Sequence, residues 1–483
     1  EIKEVKTTYG HVLQSTNSWN LKFVWNSQEE EYVSDISDNT QDGVLDIRNE
    51  LVSTEVRVTK KDARTSKPVP DTTFGFYTKD NIYDKDGNVI LKAGSKITKV
   101  KTDKDGKAII PFPVPVMGER YGDKDLPINS GDYYFLEENI SDSYYISEEP
   151  IFVHLEYKNQ ETPIVTAEAK VVNEQTEVEV DKLMIASSVE IPNCHLKISD
   201  ENGNEIVSWI TGDKDSIIVN EKLEEMGYLN FEAKMNENGN IKINGLLHDK
   251  EYVLTETKPA DGFVSATDIS FMLKLKIEKA DYLTQIFIKE NEKFVPAISN
   301  KLVMYDDTTK IEFSKTEITG EKEIPGCELE VTDKETGRIM DKWTSSKDKH
   351  IVEGKYVVGK TYMFTEKRPA SGFATAESVE FKISDTGNIQ QVSMKDDTIK
   401  IQFSKIASDT KKLLPGAKYK VLDSKGKKVC EFTTKKKETA LNGILCAGET
   451  YTFVEHQAPK HYKKAKNVKI TVKDTGKIQK IKV

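Results

Sequence analysis

Short runs in which apolar and polar residues alternate recur along almost the whole chain: EVRV from Glu55, YVLTE from Tyr252, KIEF from Lys310, IQF from Ile401. A period of two puts every second side chain on the same face, so these runs predict half-buried strands rather than helices. Asp105-Gly106, Asn202-Gly203, Asn244-Gly245, Thr336-Gly337 and Thr386-Gly387 punctuate them with turn dipeptides. Helical periodicity is scarce, and VNEKLEEM, from Val219 to Met226, is the best short helix candidate. The texture predicts an all-β fold of Ig-like sandwich type, and a chain of this length predicts about three to four domains.

The pattern repeats. EVEVDKLMIASSVEIPNCHLKI (from Glu177), KIEFSKTEITGEKEIPGCELEV (from Lys310) and KIQFSKIASDTKKLLPGAKYKV (from Lys400) are versions of one unit, with a looser copy, EVRVTKKDARTSKPVPDTTFGFY, from Glu55. Each sets a lysine after an alternating strand: Lys60, Lys182, Lys315 and Lys405. A second motif follows in each: YFLEENISDSYY, YVLTETKPADGF, YMFTEKRPASGF and YTFVEHQAPKHY, in which a glutamate stands four residues after the tyrosine at Glu138, Glu256, Glu366 and Glu455. A partial copy opens the chain, with Glu4 seven residues before His11 and Gly10 where Gly262 and Gly372 fall. A third element precedes the next lysine strand and carries Asp306, Asp396 or Asn173, with Asn49 in the partial copy. The domains predicted are 1–54 (the C-terminal half of a preceding domain), 55–174, 175–308 with insertions, 309–397, and 398–483 lacking its last strand. Linkers are almost absent, which predicts a rod of tandem sandwiches rather than a flexible string.

Alternation also says where the charged residues point. Val178, Val180 and Lys182 share a face, as do Tyr252, Leu254 and Glu256, and Val392, Met394 and Asp396. If the apolar members face a core, so do the charges, and a buried charge needs a partner. Any one set fits a solvated ion pair at a sandwich rim equally well; recurrence of all three elements in register favours a common purpose. The neutral amide of Asn173 is a poor ion-pair partner and a competent electrophile.

The YxLxExxxPxGF motif, the VxVxK strand before a PG or PA step, and the terminal MxDDT resemble Cna B-type (SpaA-type) repeat domains, the prealbumin-like β-sandwiches of Gram-positive surface adhesins and pilins. The resemblance is strongest in the repeats starting near 175, 309 and 398, and weaker in 55–174, where ISDSY replaces the Pro-Gly loop. It implies intramolecular isopeptide bonds, in which a lysine amine condenses with an Asn or Asp side chain beside a glutamate: Lys60–Asn173 with Glu138, Lys182–Asp306 with Glu256, and Lys315–Asp396 with Glu366. Lys405 and Glu455 lack an acceptor, which aligns to position 485, and Glu4 and Asn49 lack a lysine; both are unpaired crosslink candidates in incomplete domains, and the chain is expected to be cut from a longer array. The implied function is a structural stalk segment of a cell-surface adhesin or pilus-like protein, extracellular and anchored to the cell wall through other segments, with self-crosslinking as its only, single-turnover chemistry. The alternative is an adhesin module that binds a host matrix protein or glycan through the enlarged loops at 82–127 or 217–240.

Composition changes this picture in one place. The formal net charge is −10, but residues 399–483 hold 21 lysines against seven Asp plus Glu, a local +14 that leaves −24 on the rest. That basic domain has no interleaved exposed aromatics and no nucleic-acid motif, so an anionic cell-wall polymer is the expected partner and nucleic acid is not. No apolar run approaches the ~20 residues of a membrane helix, so no membrane insertion is expected. Four cysteines form no CxxC, and the histidines no HExxH, so neither metal nor cofactor is expected. Cys194 and Cys327 stand where Ala417 stands in the fourth repeat and are read as buried structural thiols; Cys430 and Cys446 flank a hairpin, either as free thiols or as a disulfide.

Overall fold

The computed structural model describes residues 1–7, 11–14, 18–35, 40–41, 44–45, 47–50, 52–83, 88–112, 120–121, 124–125, 131–156, 159–185, 187, 189–278, 281–299 and 301–483. Gly10 and, within the 82–127 insertion, residues 84–87, 113–119, 122–123 and 126–127 lie outside them. Every regular element among the described residues is a β-strand. The helix expected at 219–226 is not formed: Met226 N–H donates to Lys222 and Leu223 carbonyls at 3.1 Å, and the segment is a run of turns. Leu223 is its only buried apolar side chain, too little to hold a helix against the sheet.

Two compact units divide the chain: Glu1–Asp181, Lys197–Thr255 and Asp268–Val303 in one, Lys182–Leu196, Glu256–Thr267 and Met304–Val483 in the other. Within the first, residues 53–173 form a sandwich of two sheets. One sheet has three strands in the order Lys107–Phe112, Ser53–Asp62, Ile164–Asn173; the other has four, in the order Lys96–Lys101, Thr73–Thr78, Gly131–Asn139, Ile151–Leu155. Val56, Val58, Phe74, Phe76, Phe135 and Leu155 fill the space between them. Strict alternation along Ser53–Asp62 buries Thr54, Val56, Val58, Lys60 and Asp62, so the lysine is the continuation of an apolar face.

The same three-plus-four plan recurs twice in the second unit. Residues 310–396 pair His350–Glu353, Lys310–Glu317 and Gln390–Asp396 in one sheet, and Ile339–Thr344, Glu328–Asp333, Thr361–Arg368 and Val379–Lys382 in the other. Residues 401–482 follow with Thr439–Ala440, Ile401–Ser404 and Gln479–Lys482 against Lys428–Thr433, Lys418–Leu422, Thr450–Gln457 and Val468–Thr471. Ile311, Phe313, Tyr362, Phe364 and Val392 in one core correspond to Ile401, Phe403, Tyr451, Phe453 and Ile481 in the other. The repeat beginning at Glu177 enlarges both sheets to four and seven strands, its insertions supplying Glu232–Met235, Asp213–Val219, Asp281–Glu290 and Lys293–Pro296.

One topological feature decides where the chemistry lies. The first and last strands of a repeat are hydrogen-bonded neighbours running parallel: Ser53–Asp62 with Ile164–Asn173, Lys310–Glu317 with Gln390–Asp396, and Ile401–Ser404 with Gln479–Lys482. Lys60 lies opposite Val171 and Lys315 opposite Met394, so the residue two places further on the same buried face is Asn173 or Asp396. Ser404 lies opposite Lys482 in the last repeat, which puts the corresponding position for Lys405 at 485, beyond Val483.

Candidate functional site

Each repeat assembles its charged residues where the parallel strands meet the strand carrying the glutamate. Burial alternates Tyr252, Leu254, Glu256; Tyr362, Phe364, Glu366; and Tyr451, Phe453, Glu455, so each glutamate continues an apolar stripe into the core. Lys182 and Asp306 are both 1% exposed and form an ion pair through Oδ1, with Glu256 Oε1 3.0 Å from the amine. Lys315 and Asp396 repeat it, with Glu366 Oε1 at 3.1 Å. In the last repeat Lys405 pairs with Glu455 Oε2 at 3.2 Å, with its amine 6.0 Å from the Tyr419 ring centre.

The first full repeat corrects the sequence reading. Glu138 points outward, accepting from Tyr77 Oη at 2.8 Å and pairing with Lys96. Glu137 is the inward residue: it pairs with Lys60, and its Oε2 accepts from Asn173 Nδ2 at 2.6 Å. The cause is a one-residue register error in DYYFLEEN, where two tyrosines and two glutamates are adjacent. Tyr133, Phe135 and Glu137 are the buried set, and counting four residues from Tyr134 lands on the wrong face.

A backbone contact invisible in the sequence fixes the assignment independently. In every copy the glutamate Oε2 accepts from the amide ten residues downstream: Glu137 from Ser147 at 2.8 Å, Glu256 from Ala266 at 2.8 Å, Glu366 from Ala376 at 2.7 Å, Glu455 from Ala465 at 2.6 Å, and Glu4 from Gln14 at 2.9 Å. The acceptors Asn173 and Asn49 match as well. Asn173 Nδ2 donates to the Tyr145 carbonyl at 2.5 Å, while Asn49 Nδ2 donates to Glu4 at 2.7 Å and the Val12 carbonyl at 2.9 Å. The half-buried Glu4–Asn49 pair thus reproduces the glutamate–amide half of the arrangement, and the Gln14 amide holds the Glu4 carboxyl below its usual range.

Burial tunes the reacting groups. Desolvation pulls the Lys60 amine down to about 8 against the opposing pull of Glu137, and pushes the Asp306 and Asp396 carboxyls up to about 7 and about 6 despite their lysines. Near neutral pH the Lys60 amine can therefore lose its proton, and the Asp306 and Asp396 carboxyls can hold theirs. Glu256 Oε1 and Glu366 Oε1 are buried and, though near the lysines, receive no aligned hydrogen bond; Glu455 Oε1 is likewise buried and unbonded, its Oε2 taking Lys405.

Cys194 and Cys327 are fully buried, and their Sγ atoms approach Asp306 Oδ2 and Asp396 Oδ2 at 3.8 and 4.0 Å, contacts the sequence does not signal. Cys194, Glu256 and Asp306, like Cys327, Glu366 and Asp396, bring potential metal-ligand atoms within 4.8 Å of one another. A lysine amine already occupies the cation's place on each aspartate. Cys430 and Cys446 are both free thiols, Cys446 lying 3.2 Å from Ser371 Oγ.

Tandem all-β sandwiches, three of which gather a lysine, a glutamate and an acid or amide where the first and last strands meet the glutamate strand, define a class of structural modules. The model of the family described as "SpaA: Prealbumin-like fold domain" matches residues 54–170, 309–398 and 399–483, more than half of the chain, and the chain belongs to this family. No curated protein matches. Among solved structures it is similar to the Bacillus anthracis TIE protein (14% identity over 86% of this chain and 69% of that one, TM-score 0.31). It is also similar to the shaft pilin SpaA from Lactobacillus rhamnosus GG (16%, 36% and 96%, TM-score 0.21) and to BcpA, the major pilin subunit of Bacillus cereus (12%, 72% and 99%, TM-score 0.25). Likenesses this distant add nothing to the family assignment.

Proposed function

We propose that the chain is a structural stalk segment of a Gram-positive cell-surface adhesin or pilus-like protein, whose domains lock themselves by Lys60–Asn173, Lys182–Asp306 and Lys315–Asp396 isopeptide bonds. The observation that carries this reading is the threefold gathering of a buried lysine and a buried acceptor on adjacent strands beside an inward glutamate. The neutral amine attacks the acceptor carbon. The glutamate takes a proton from nitrogen and returns one to the departing group, which leaves as ammonia from Asn173 and as water from Asp306 and Asp396. Folding supplies the proximity, and positioning of this kind is worth about 7–11 kcal/mol of barrier. The reaction happens once per site and is not enzymatic turnover. Each bond ties the first strand of a domain to the last, so a pull along the chain loads a covalent bond rather than a hydrogen-bonded ladder. The surface location rests on the motif resemblance.

Intact-mass measurement of the purified chain tests the reading. The expected mass is short by one ammonia and two waters, restored stepwise by Ala at Glu137, Glu256 and Glu366. A chain of full mass would leave the clusters as buried ion pairs and refute it.

A further inference from the structure

We propose that the Cys194 and Cys327 thiols are hydrogen-bond donors to Asp306 Oδ2 and Asp396 Oδ2 that decide which carboxyl oxygen is kept in the new amide and which departs. The inference rests on the crosslink reading above.

The two oxygens of each aspartate face different partners. Oδ1 lies on the lysine side, paired with Lys182 or Lys315, with the glutamate Oε1 3.0 or 3.1 Å from the same amine. Oδ2 lies on the other side, against the thiol. The glutamate oxygens on the Oδ1 side are buried and receive no aligned hydrogen bond, so the group that can take the amine's proton and pass it to a departing oxygen stands on that side. Attack by the lysine nitrogen on the carboxyl carbon forms the N–C bond and moves the C=O electron pair onto Oδ2, where the S–H can donate to the new negative charge. The proton lost by nitrogen goes to the glutamate carboxyl, which protonates Oδ1. The C–Oδ1 bond then breaks, and C=Oδ2 re-forms as the amide carbonyl. One hydrogen of the amine and the hydroxyl of the acid leave together as water, with no other reactant.

The position of the thiol is built, not incidental. Cys327 N–H donates to Ser345 Oγ at 2.9 Å, just as Thr72 N–H donates to Thr102 Oγ1 at 2.9 Å and Ala417 N–H to Thr434 Oγ1 at 3.0 Å, which shows that these three residues occupy one structural position. It holds a thiol where the acceptor is Asp396, a hydroxyl where the acceptor is Asn173, and a methyl where Lys405 pairs with Glu455. Burial pushes the Cys194 thiol up to about 12 and Cys327 up to about 11, so each keeps its proton and acts as a donor, not a nucleophile. The S···O separations are long for the ground state and suit a bond that tightens when charge appears on Oδ2.

The full chain, synthesised in a cell-free reaction and quenched in acid at intervals, can be followed by intact mass and by mapping of the crosslinked peptides. Cys194→Ala should slow closure of Lys182–Asp306 by about tenfold, below the ~10²–10³ lost with a stronger oxyanion-hole donor, while Lys315–Asp396 in the same molecule closes at its usual rate. Cys327→Ala should do the converse. Cys→Ser at either position, which keeps volume and donor, should restore the rate to within about threefold. Ala variants that close as fast as wild type, or Ser variants as slow as Ala, would overturn the donor role while leaving the crosslinks standing. A wild-type chain that loses no water would remove the crosslink reading and this inference with it.

Discussion

Exchanging Glu137 and its neighbour Glu138 separately gives the sharpest test of the site geometry. Glu137 has a fully buried side chain against a fully buried Lys60, and it also receives the Asn173 and Ser147 N–H groups. Glu137→Ala removes the proton shuttle, so the Lys60–Asn173 bond does not form. That bond closes a loop of more than 100 residues, and a crosslink of that span stabilises by about 5 kcal/mol in the chain-entropy account. Removing one partner of a buried ion pair costs about 3–5 kcal/mol more. The sum is comparable to the stability of a whole domain, so residues 55–174 of Glu137→Ala should be largely unfolded and cut by a protease that spares wild type. Glu137→Gln separates the two effects: it keeps the volume and neutralises the site, and should give a folded chain that retains one ammonia. Glu138→Ala disturbs only an exposed pairing with Lys96 and a hydrogen bond from Tyr77, and should lose its ammonia as wild type does. Intact mass, denaturant midpoint and limited proteolysis on the three variants settle the matter. A Glu138→Ala chain that keeps the ammonia beside a Glu137→Gln chain that loses it would refute the register derived from the structure.

The sites should differ in pH dependence. The Lys60 amine becomes neutral above about 8, so closure of Lys60–Asn173 should quicken from about pH 6 to about pH 9; the Asp306 carboxyl ionises above about 7 and ceases to be an electrophile, so closure of Lys182–Asp306 should slow over the same range. Site-resolved mass spectrometry of quenched time points reads both, and slopes of the same sign would contradict the assignment. Gly262 and Gly372 have φ of +92° and +89°, and a Cβ at either would lie 2.3 Å from the Gly354 or Gly443 carbonyl oxygen. Ala there should cost at least about 2 kcal/mol and speed hydrogen exchange of the Thr309 or Ile399 amide, which donates to the Gly262 or Gly372 carbonyl at 2.9 or 2.8 Å; unchanged exchange would show that the loop tolerates the side chain.

Much of this was legible in the chain itself. Strand alternation, the repeated lysine strand and the repeated tyrosine–glutamate motif determined the all-β class, the tandem organisation and the inward direction of Lys182, Glu256 and Asp396, because a period of two leaves little freedom in which face a residue takes; the pairing of Lys182 with Asp306 and Lys315 with Asp396 came from the family resemblance. The arithmetic that put the acceptor position for Lys405 at 485 reappears as strand register. What the sequence left open were matters of one residue or of no local signal. Adjacent tyrosines and glutamates at 133–138 read equally well in either register, and only the packing of Tyr133 and Phe135 into the core selects Glu137. The amide ten residues after each glutamate, the thiol behind each aspartate and the absence of a helix at 219–226 depend on how the two sheets close over each other. The local pattern fixes the direction a side chain takes from its strand, and the closed sandwich alone decides what it meets there.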